Sequence, residues 1–221
     1  MKIAHEGFPT ITIVGVFTAL ALVLSWKYLS LLASISLSSI LLPVWFLSIY
    51  FFRDPERTLP IDLSEEVLLS PADGKVVVVK EVESVEYLEQ EAVQISIFLS
   101  PLNVHINRIP VSGVLEYLVY QTGEYLMAWD DRATMDNEQA KFGVKHTSGQ
   151  KILFRQITGF LARRVVYYLN EGDTLERGKR FGLMKFGSRM DVVLPRSANV
   201  LVNEGDKVVA GESTIAKLAI Q

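Results

Sequence analysis

The chain has 221 residues, a net charge of −3, no cysteine and three histidines, and 49% of its residues are hydrophobic, with a mean hydropathy of +0.26. The missing cysteine excludes disulfides, thiol catalysis, Cys-ligated zinc and Fe–S clusters. Mild acidity gives no electrostatic case for nucleic acid, and His5, His105 and His146 leave little for a metal site.

The apolar excess is local. Residues 1–52 carry three charges, Lys2, Glu6 and Lys27. The other 169 positions hold 22 less 2 basic and 25 less 1 acidic residues, 44 charges, an ordinary globular density. Phe8–Trp26 and Leu29–Phe52 are uncharged runs, separated by Lys27 and Tyr28. As helices they would be roughly 28–36 Å long, enough for a bilayer core. Trp26 and Tyr28 suit one interface, and Trp45, Tyr50 and the Phe51-Phe52 pair suit the other. Lys2, Arg53 and Arg57 flank the outer ends, and Lys27 stands alone in the turn. The expectation is an N-terminal transmembrane helical hairpin over 1–52, helices about 8–26 and 29–52, with both ends in the cytoplasm. The domain 53–221 then lies on the cytoplasmic side of the cell membrane. Pro43 and the serines at 30, 34, 36, 38 and 39 keep a re-entrant second segment open.

Prolines at 55, 60 and 71 end the helical pattern. Short β-branched runs then read as strands: Lys75–Val82, Val93–Leu99, Gly113–Tyr120, Lys151–Ile157 and Val165–Leu169. Glu83–Glu91 reads as a short helix. Asn170–Gly178 (NEGDTLERG) and Asn203–Gly211 (NEGDKVVAG) repeat the pattern N-E-G-D-x-Φ-x-x-G at a spacing of 33. Gly-Asp supplies the left-handed backbone and the side-chain hydrogen bond of a tight turn. A related phrase, Ser70–Val76 and Ile109–Val114, precedes other strands. These pieces resemble the hammerhead turns of biotinyl and lipoyl domains. The resemblance implies a mainly β fold, a flattened β-barrel or sandwich.

Without cysteine, nucleophiles must be Ser, Thr, Lys or carboxylates. Gly187-Ser188 is the pair with a distinctive chemistry. A serine hydroxyl can attack the carbonyl before it, giving an ester by N→O acyl shift. Elimination and hydrolysis then break the chain and leave a pyruvoyl group on residue 188. That step needs a base near the hydroxyl. His105 stands in an apolar, strand-flanked segment beside Asn103, Asn107 and Arg108. Asp73 precedes Gly74 and reads equally as a turn residue. His146, in KHTSGQ, reads as a solvated turn histidine.

Together FFRDPER (51–57), SPADGKV (70–76), FLSPLNVHINRIPVSG (98–113), GFLARRVV (159–166) and ERGKRFGLMKFGSRMDVVLP (176–195) resemble the short proenzyme form of the phosphatidylserine decarboxylase family. The resemblance implies self-cleavage between Gly187 and Ser188, a β chain 1–187 and an α chain 188–221. It implies a pyruvoyl cofactor from Ser188, Schiff-base chemistry on that group, and neither metal nor pyridoxal phosphate. It places the family's histidine of decarboxylation on His105 and its acidic partner in self-cleavage on Asp73. The implied reaction converts phosphatidylserine to phosphatidylethanolamine. The implied partners are a phospholipid in the membrane and an α–β heterodimer, with room for a higher oligomer. Arg53, Arg57, Arg163 and Arg164 are candidate phosphate partners. Long-form relatives carry a second histidine where Arg108 stands, so either His105 serves both steps or another group is the base. Two alternatives stay open: the same chemistry on archaetidylserine, and a tethered biotinyl- or lipoyl-like carrier modified at Lys185, whose Met184-Lys185 resembles a carrier tip.

Overall fold

The computed structural model describes residues 2–61, 63–83, 86–127, 132–159, 165–185 and 188–219. The chain forms two compact units, Met1–Glu56 and Arg57–Gln221.

In the first unit β1 (Lys2–Ile3), α1 (Phe8–Tyr28), α2 (Leu31–Phe51) and β2 (Arg53–Asp54) follow in order, and β1 pairs antiparallel with β2. Ser30 caps α2 by accepting from the Ala33 N–H. The helices meet through small residues: Ser34 Oγ donates to the Ser25 carbonyl at 2.9 Å, and a Cβ on Gly15 would lie 2.8 Å from Trp45 Nε1. Both helices are long and apolar enough to cross a membrane. α2 runs unbroken through Pro43 as one helix. Its serines do not break it, because Ser38 Oγ and Ser39 Oγ donate to the carbonyls of Ser34 and Ser36 in the preceding turn.

The second unit begins with β3 (Val67–Leu69), β4 (Gly74–Val82), β5 (Ala92–Leu99), β6 (Ile106–Arg108) and β7 (Gly113–Gln121). A single helical turn, α3 (Ala133–Asp136), precedes β8 (Gln139–Lys145), β9 (Lys151–Ile157), β10 (Val165–Tyr167), β11 (Thr174–Leu175) and β12 (Arg180–Met184). β13 (Ser188–Pro195), β14 (Asn199–Val200), β15 (Lys207–Val208) and β16 (Thr214–Lys217) complete it. Eight strands form one antiparallel sheet in the order β11-β7-β8-β9-β13-β5-β4-β15. Two three-stranded sheets, β10-β12-β6 and β14-β16-β3, accompany it. Alternate residues of the large sheet (Ile95 and Ile97, Phe142, Phe154, Met190 and Val192) share one core with Leu68, Phe181 and Ile215 from the smaller sheets. This is the flattened barrel or sandwich expected from the turns.

The repeat read in the sequence is an internal two-fold relation. β4 and β7 each have nine residues, and each carries a bulge, between Val76 and Val78 and between Leu115 and Tyr117. At each bulge a repeat supplies the missing partners. Leu115 N–H donates to the Asp173 carbonyl, and Val76 N–H to that of Asp206. Leu118 N–H donates to Glu171 Oε1, and Val79 N–H to Glu204 Oε1. Within each turn the Asp carboxylate accepts from the Asn N–H three residues back, Asp173 from Asn170 and Asp206 from Asn203. Gly172 and Gly205, at φ +89° and +101°, make those turns possible. The pseudo-dyad passes between Val192 and Phe154, which face each other across β13 and β9.

Three expectations need correction. Glu83–Glu91 is not a helix among the described residues: Tyr87 and Glu89 have φ of 70° and 54°, which a right-handed helix forbids. His146 is buried rather than solvated, its Nδ1 2.8 Å from Ser148 Oγ. β8 and β13 were not read as strands, because both alternate apolar residues with Lys, Arg or Asp that prove to be buried.

Gly74 and Gly113 occupy equivalent places, and a Cβ there would meet the carbonyl oxygens of Phe98 and Lys145 at 2.3 and 2.4 Å. Gly74→Ala should therefore cost about 1–3 kcal/mol, by forcing β4 and β5 apart. Thermal unfolding of the detergent-solubilised chain measures it, and an unchanged midpoint would contradict the close approach.

Candidate active site

Ser188 opens β13, the strand held on both sides, by β5 and β9. It sits in phase with Met190, Val192 and Leu194, so its side chain faces the core. The residue is fully buried, and Oγ has no hydrogen-bond partner among the described residues. Its neighbour Arg189 points to the other face, where it pairs with Asp191 at 2.9 Å. On that opposite face lies a cavity of about 420 Å³ lined by Lys80, Gln94, Lys141 and Arg155 among others. Burial pushes the Arg155 guanidinium below its ordinary pKa, and Asp191 opposes the shift. The sheet separates this cavity from the Ser188 hydroxyl.

His105 reaches the core by a different route. Ser100-Pro101-Leu102-Asn103 closes a turn in which Asn103 N–H donates to the Ser100 carbonyl and Ser100 N–H to Asn103 Oδ1, both at 2.9 Å. His105 follows, 2% exposed, with Nδ1 3.0 Å from the Asn103 carbonyl. A carbonyl can only accept, so Nδ1 is the donor in that contact. The His105 carbonyl accepts from Met184 N–H, and Ile106 pairs with Leu183. β12 thus brings the histidine's strand against the segment that ends four residues later at Ser188. Gly187 lies outside the described residues, as do Arg163 and Arg164.

Asp73 stands on the turn before β4. Its Oδ1 accepts from Ala210 N–H at 2.9 Å, and its carboxylate takes Arg57 Nη2 at 2.7 and 2.9 Å. In the other half of the barrel Ser112 Oγ accepts from Arg177 N–H at 3.1 Å. Asp73 and Ser112 are therefore equivalent turn caps, and Asp73 carries the added charge. The Asp73 turn is tied to the histidine's strand, since Arg108 N–H donates to the Pro71 carbonyl. Arg57, a sequence candidate for a lipid phosphate, is engaged by Asp73. Arg53 lies 3.7 Å over the Tyr50 ring and donates to the Tyr50 carbonyl. Arg108 Nη1 donates to the Gly178 carbonyl, and a permanently protonated guanidinium cannot act as a base.

Asn107, which the sequence sets beside His105, is joined in the structure to Gln156, a residue that sequence reasoning missed. Both are fully buried, and Gln156 Nε2 donates to Asn107 Oδ1 at 2.8 Å and to the Val166 carbonyl at 3.3 Å. The available signal was phase: in KILFRQI, Gln156 falls on the same face as Ile152 and Phe154, where an amide is out of place. Met184 is buried in β12 opposite Val165, so Met184-Lys185 is not the exposed hairpin tip of a carrier domain. Among the described residues, no group of three or more His, Asp or Glu could hold a metal ion.

A buried hydroxyl without a partner among the described residues, on a core strand, suits a group that reacts in place. Comparison with known proteins says which reaction. The family model "Phosphatidylserine decarboxylase" matches residues 46–216. The chain is 51% identical over 170 residues to the phosphatidylserine decarboxylase proenzyme of Salinibacter ruber, covering 77% of this chain and 75% of the relative. It is 43% identical over 216 residues to the proenzyme of that name from Symbiobacterium thermophilum, covering 98% and 95%. The chain is thus a decarboxylase, a carboxy-lyase. It belongs to the phosphatidylserine decarboxylase family.

The paired caps make a stability prediction. Asp73→Ala leaves the Ala210 N–H and the largely buried Arg57 without their acceptor, and should cost about 1–3 kcal/mol. Ser112→Ala removes a neutral cap and should cost about 1 kcal/mol. Thermal unfolding of the two variants ranks them; equal midpoints would show that the Arg57–Asp73 pair contributes nothing beyond the turn.

Proposed function

We propose that the chain is a proenzyme that cuts itself between Gly187 and Ser188 and then converts phosphatidylserine to phosphatidylethanolamine. Ser188 carries this reading: a buried, unpartnered hydroxyl on a core strand, in a family whose relatives are named proenzymes. Oγ attacks the carbonyl before it, and its proton passes to His105 Nε2. The peptide C–N bond breaks and the nitrogen takes a proton, leaving an ester. Loss of the Cα proton of residue 188 then expels the Gly187 carboxylate as a new chain end. Water displaces the nitrogen as ammonia, and residue 188 becomes a pyruvoyl group. That group supplies a ketone that condenses with the substrate amine and accepts the electron pair left by CO₂.

The chain's own residues do the rest. Burial holds Ser188 in a low-dielectric site, and His105 handles the proton that replaces CO₂ on the substrate carbon. Asp73 supports His105 at one remove, through the turn that carries Pro71 and the strand that carries Arg108. After cleavage the α chain, 188–221, keeps β13 between β5 and β9, so the two chains remain one heterodimer. The two apolar helices tether the domain to the cell membrane, with both ends in the cytoplasm. Arg163 and Arg164 remain the candidates for the lipid phosphate, since Arg57 is engaged by Asp73 and Arg53 is stacked on Tyr50.

A denaturing gel with intact-mass measurement tests this. Wild type should give chains 1–187 and 188–221, the smaller one lighter than its serine form by one ammonia. Ser188→Ala should stay a single chain. His105→Ala should lose CO₂ release from phosphatidylserine vesicles, and normal release would remove His105 from the mechanism. Faster turnover of archaetidylserine than of phosphatidylserine would reassign the substrate.

A further inference from the structure

Three buried polar atoms in the core have no hydrogen-bond partner among the described residues: Ser188 Oγ, Asn107 Nδ2 and Gln156 Oε1, and Gln156 links the other two residues. All three residues are fully buried. Gln156 lies opposite Met190 across β9 and β13, and Ser188 is two residues from Met190 on the same face. Ser188 and Gln156 are therefore diagonal neighbours, at a separation a long side chain spans. The Gln156 amide reaches Asn107, and Asn107 shares its side of the β6 strand with His105, two residues before it.

The orientation of the pair is determined. Gln156 Nε2 faces two acceptors, Asn107 Oδ1 and the Val166 carbonyl, so its nitrogen is the donor. Asn107 then accepts through Oδ1, and its Nδ2 group is left with N–H donors that nothing in the described chain takes up. A buried amide with unsatisfied donors costs stability. It is worth that cost where charge develops during reaction, since a preorganised donor in a dry site stabilises an oxyanion strongly.

We propose that Asn107 is a catalytic residue of self-cleavage, its Nδ2–H donating to the oxyanion that forms when Ser188 attacks, and that Gln156 is the positioning residue that holds Asn107 in that orientation. The proposal rests on the self-cleavage reading above. Attack by Oγ makes one C–O bond and turns the carbonyl π pair into a lone pair on oxygen. That oxygen is bound to the same carbon as Oγ, so it must develop beside Oγ whatever path the chain takes. The negative charge needs a donor there, and Asn107 Nδ2 is an orphan donor on the neighbouring small sheet, held by Gln156, the diagonal neighbour of Ser188. When the C–N bond breaks the charge collapses, and the same amide is free for the next step.

Asn107→Asp preserves shape and the acceptor for Gln156, and removes the donor once its carboxyl, held neutral by burial at lower pH, is ionised, so cleavage is read at alkaline pH. In the full-length, detergent-solubilised chain it should unfold cooperatively, below the wild-type midpoint, and self-cleave about 10²–10³-fold more slowly there. The block precedes the ester, so hydroxylamine should trap no hydroxamate at Gly187. Gln156→Glu removes the Nε2 donor and should also slow cleavage, by less. The double variant should be no slower than Asn107→Asp alone, since both act on one interaction; two independent structural defects would multiply. Wild-type cleavage rates in folded Asn107→Asp overturn the proposal, as do multiplicative effects in the double variant. If Asn107→Asp does not fold, wild-type cleavage in Gln156→Glu overturns it equally. A wild-type chain that never cleaves would overturn the self-cleavage reading itself, whereas normal cleavage in the variants removes only Asn107 and Gln156.

Discussion

The barrel depends on one repeated interaction, the lock between each N-E-G-D turn and the bulged strand beside it. A bulge leaves backbone groups without ladder partners, and an unpaired buried amide is expensive. Each turn answers that need with a backbone carbonyl, from Asp173 or Asp206, and a carboxylate, from Glu171 or Glu204. The bulges bend β4 and β7, and the bend lets an eight-stranded sheet curl around one core. Fixing the outer strands on both sides leaves β9 and β13 at the centre, astride the pseudo-dyad.

That symmetry is broken where chemistry needs it. The two halves offer equivalent caps, Ser112 and Asp73, yet the charged one also takes a guanidinium and shares a loop with the histidine's strand. The strand positions equivalent to Ser188 and Gln156 are Gln150 and Leu194, a pair with no reactive hydroxyl. The centre of the sheet is rigid and dry, which suits a group that must be held close to its target. It also explains how a chain could be cut at the head of β13 and stay whole, because the strand is hydrogen-bonded along both edges.

The two faces of β13 separate two kinds of polar residue. Arg189 and Asp191 pair with each other and stand near Arg155, so their charges are largely matched within the network. Ser188, Asn107 and Gln156 keep unmatched atoms on the core face. Atoms without a hydrogen-bond partner occur on both faces, Arg155 Nε and Gln139 Oε1 among them, and what sets the core-face group apart is that Ser188 carries a hydroxyl.

Local pattern made much of the protein legible. The apolar runs gave both helices to within two or three residues, and Lys151–Ile157 was bounded correctly from its alternation. The N-E-G-D repeat disclosed the turns, since Gly and Asp there are dictated by backbone conformation. Gly187-Ser188, His105 and Asp73 are singled out by residue type and family resemblance, and their roles belong to the proposed function. What failed was whatever depends on burial from a distance. β8 and β13 look too polar for core strands, because the burial of Lys141, Arg189 and Asp191 depends on pairing, Lys141 with Glu86 far back in the chain and Arg189 with Asp191 across the pleat of its own strand. Glu83–Glu91 has a helical composition, but Tyr87 and Glu89 turn left-handed and Tyr87 stacks on Tyr117. The engagement of Arg57 by Asp73, the clamp of Arg108 on Gly178 and the joining of Asn107 to Gln156 span 16, 70 and 49 residues. The sequence by itself determined the elements whose cause is local, namely apolar length, turn chemistry and strand alternation. The tertiary structure alone decided which buried polar groups find partners and which do not, because hydrogen-bond satisfaction in a folded sheet is a property of neighbours in space.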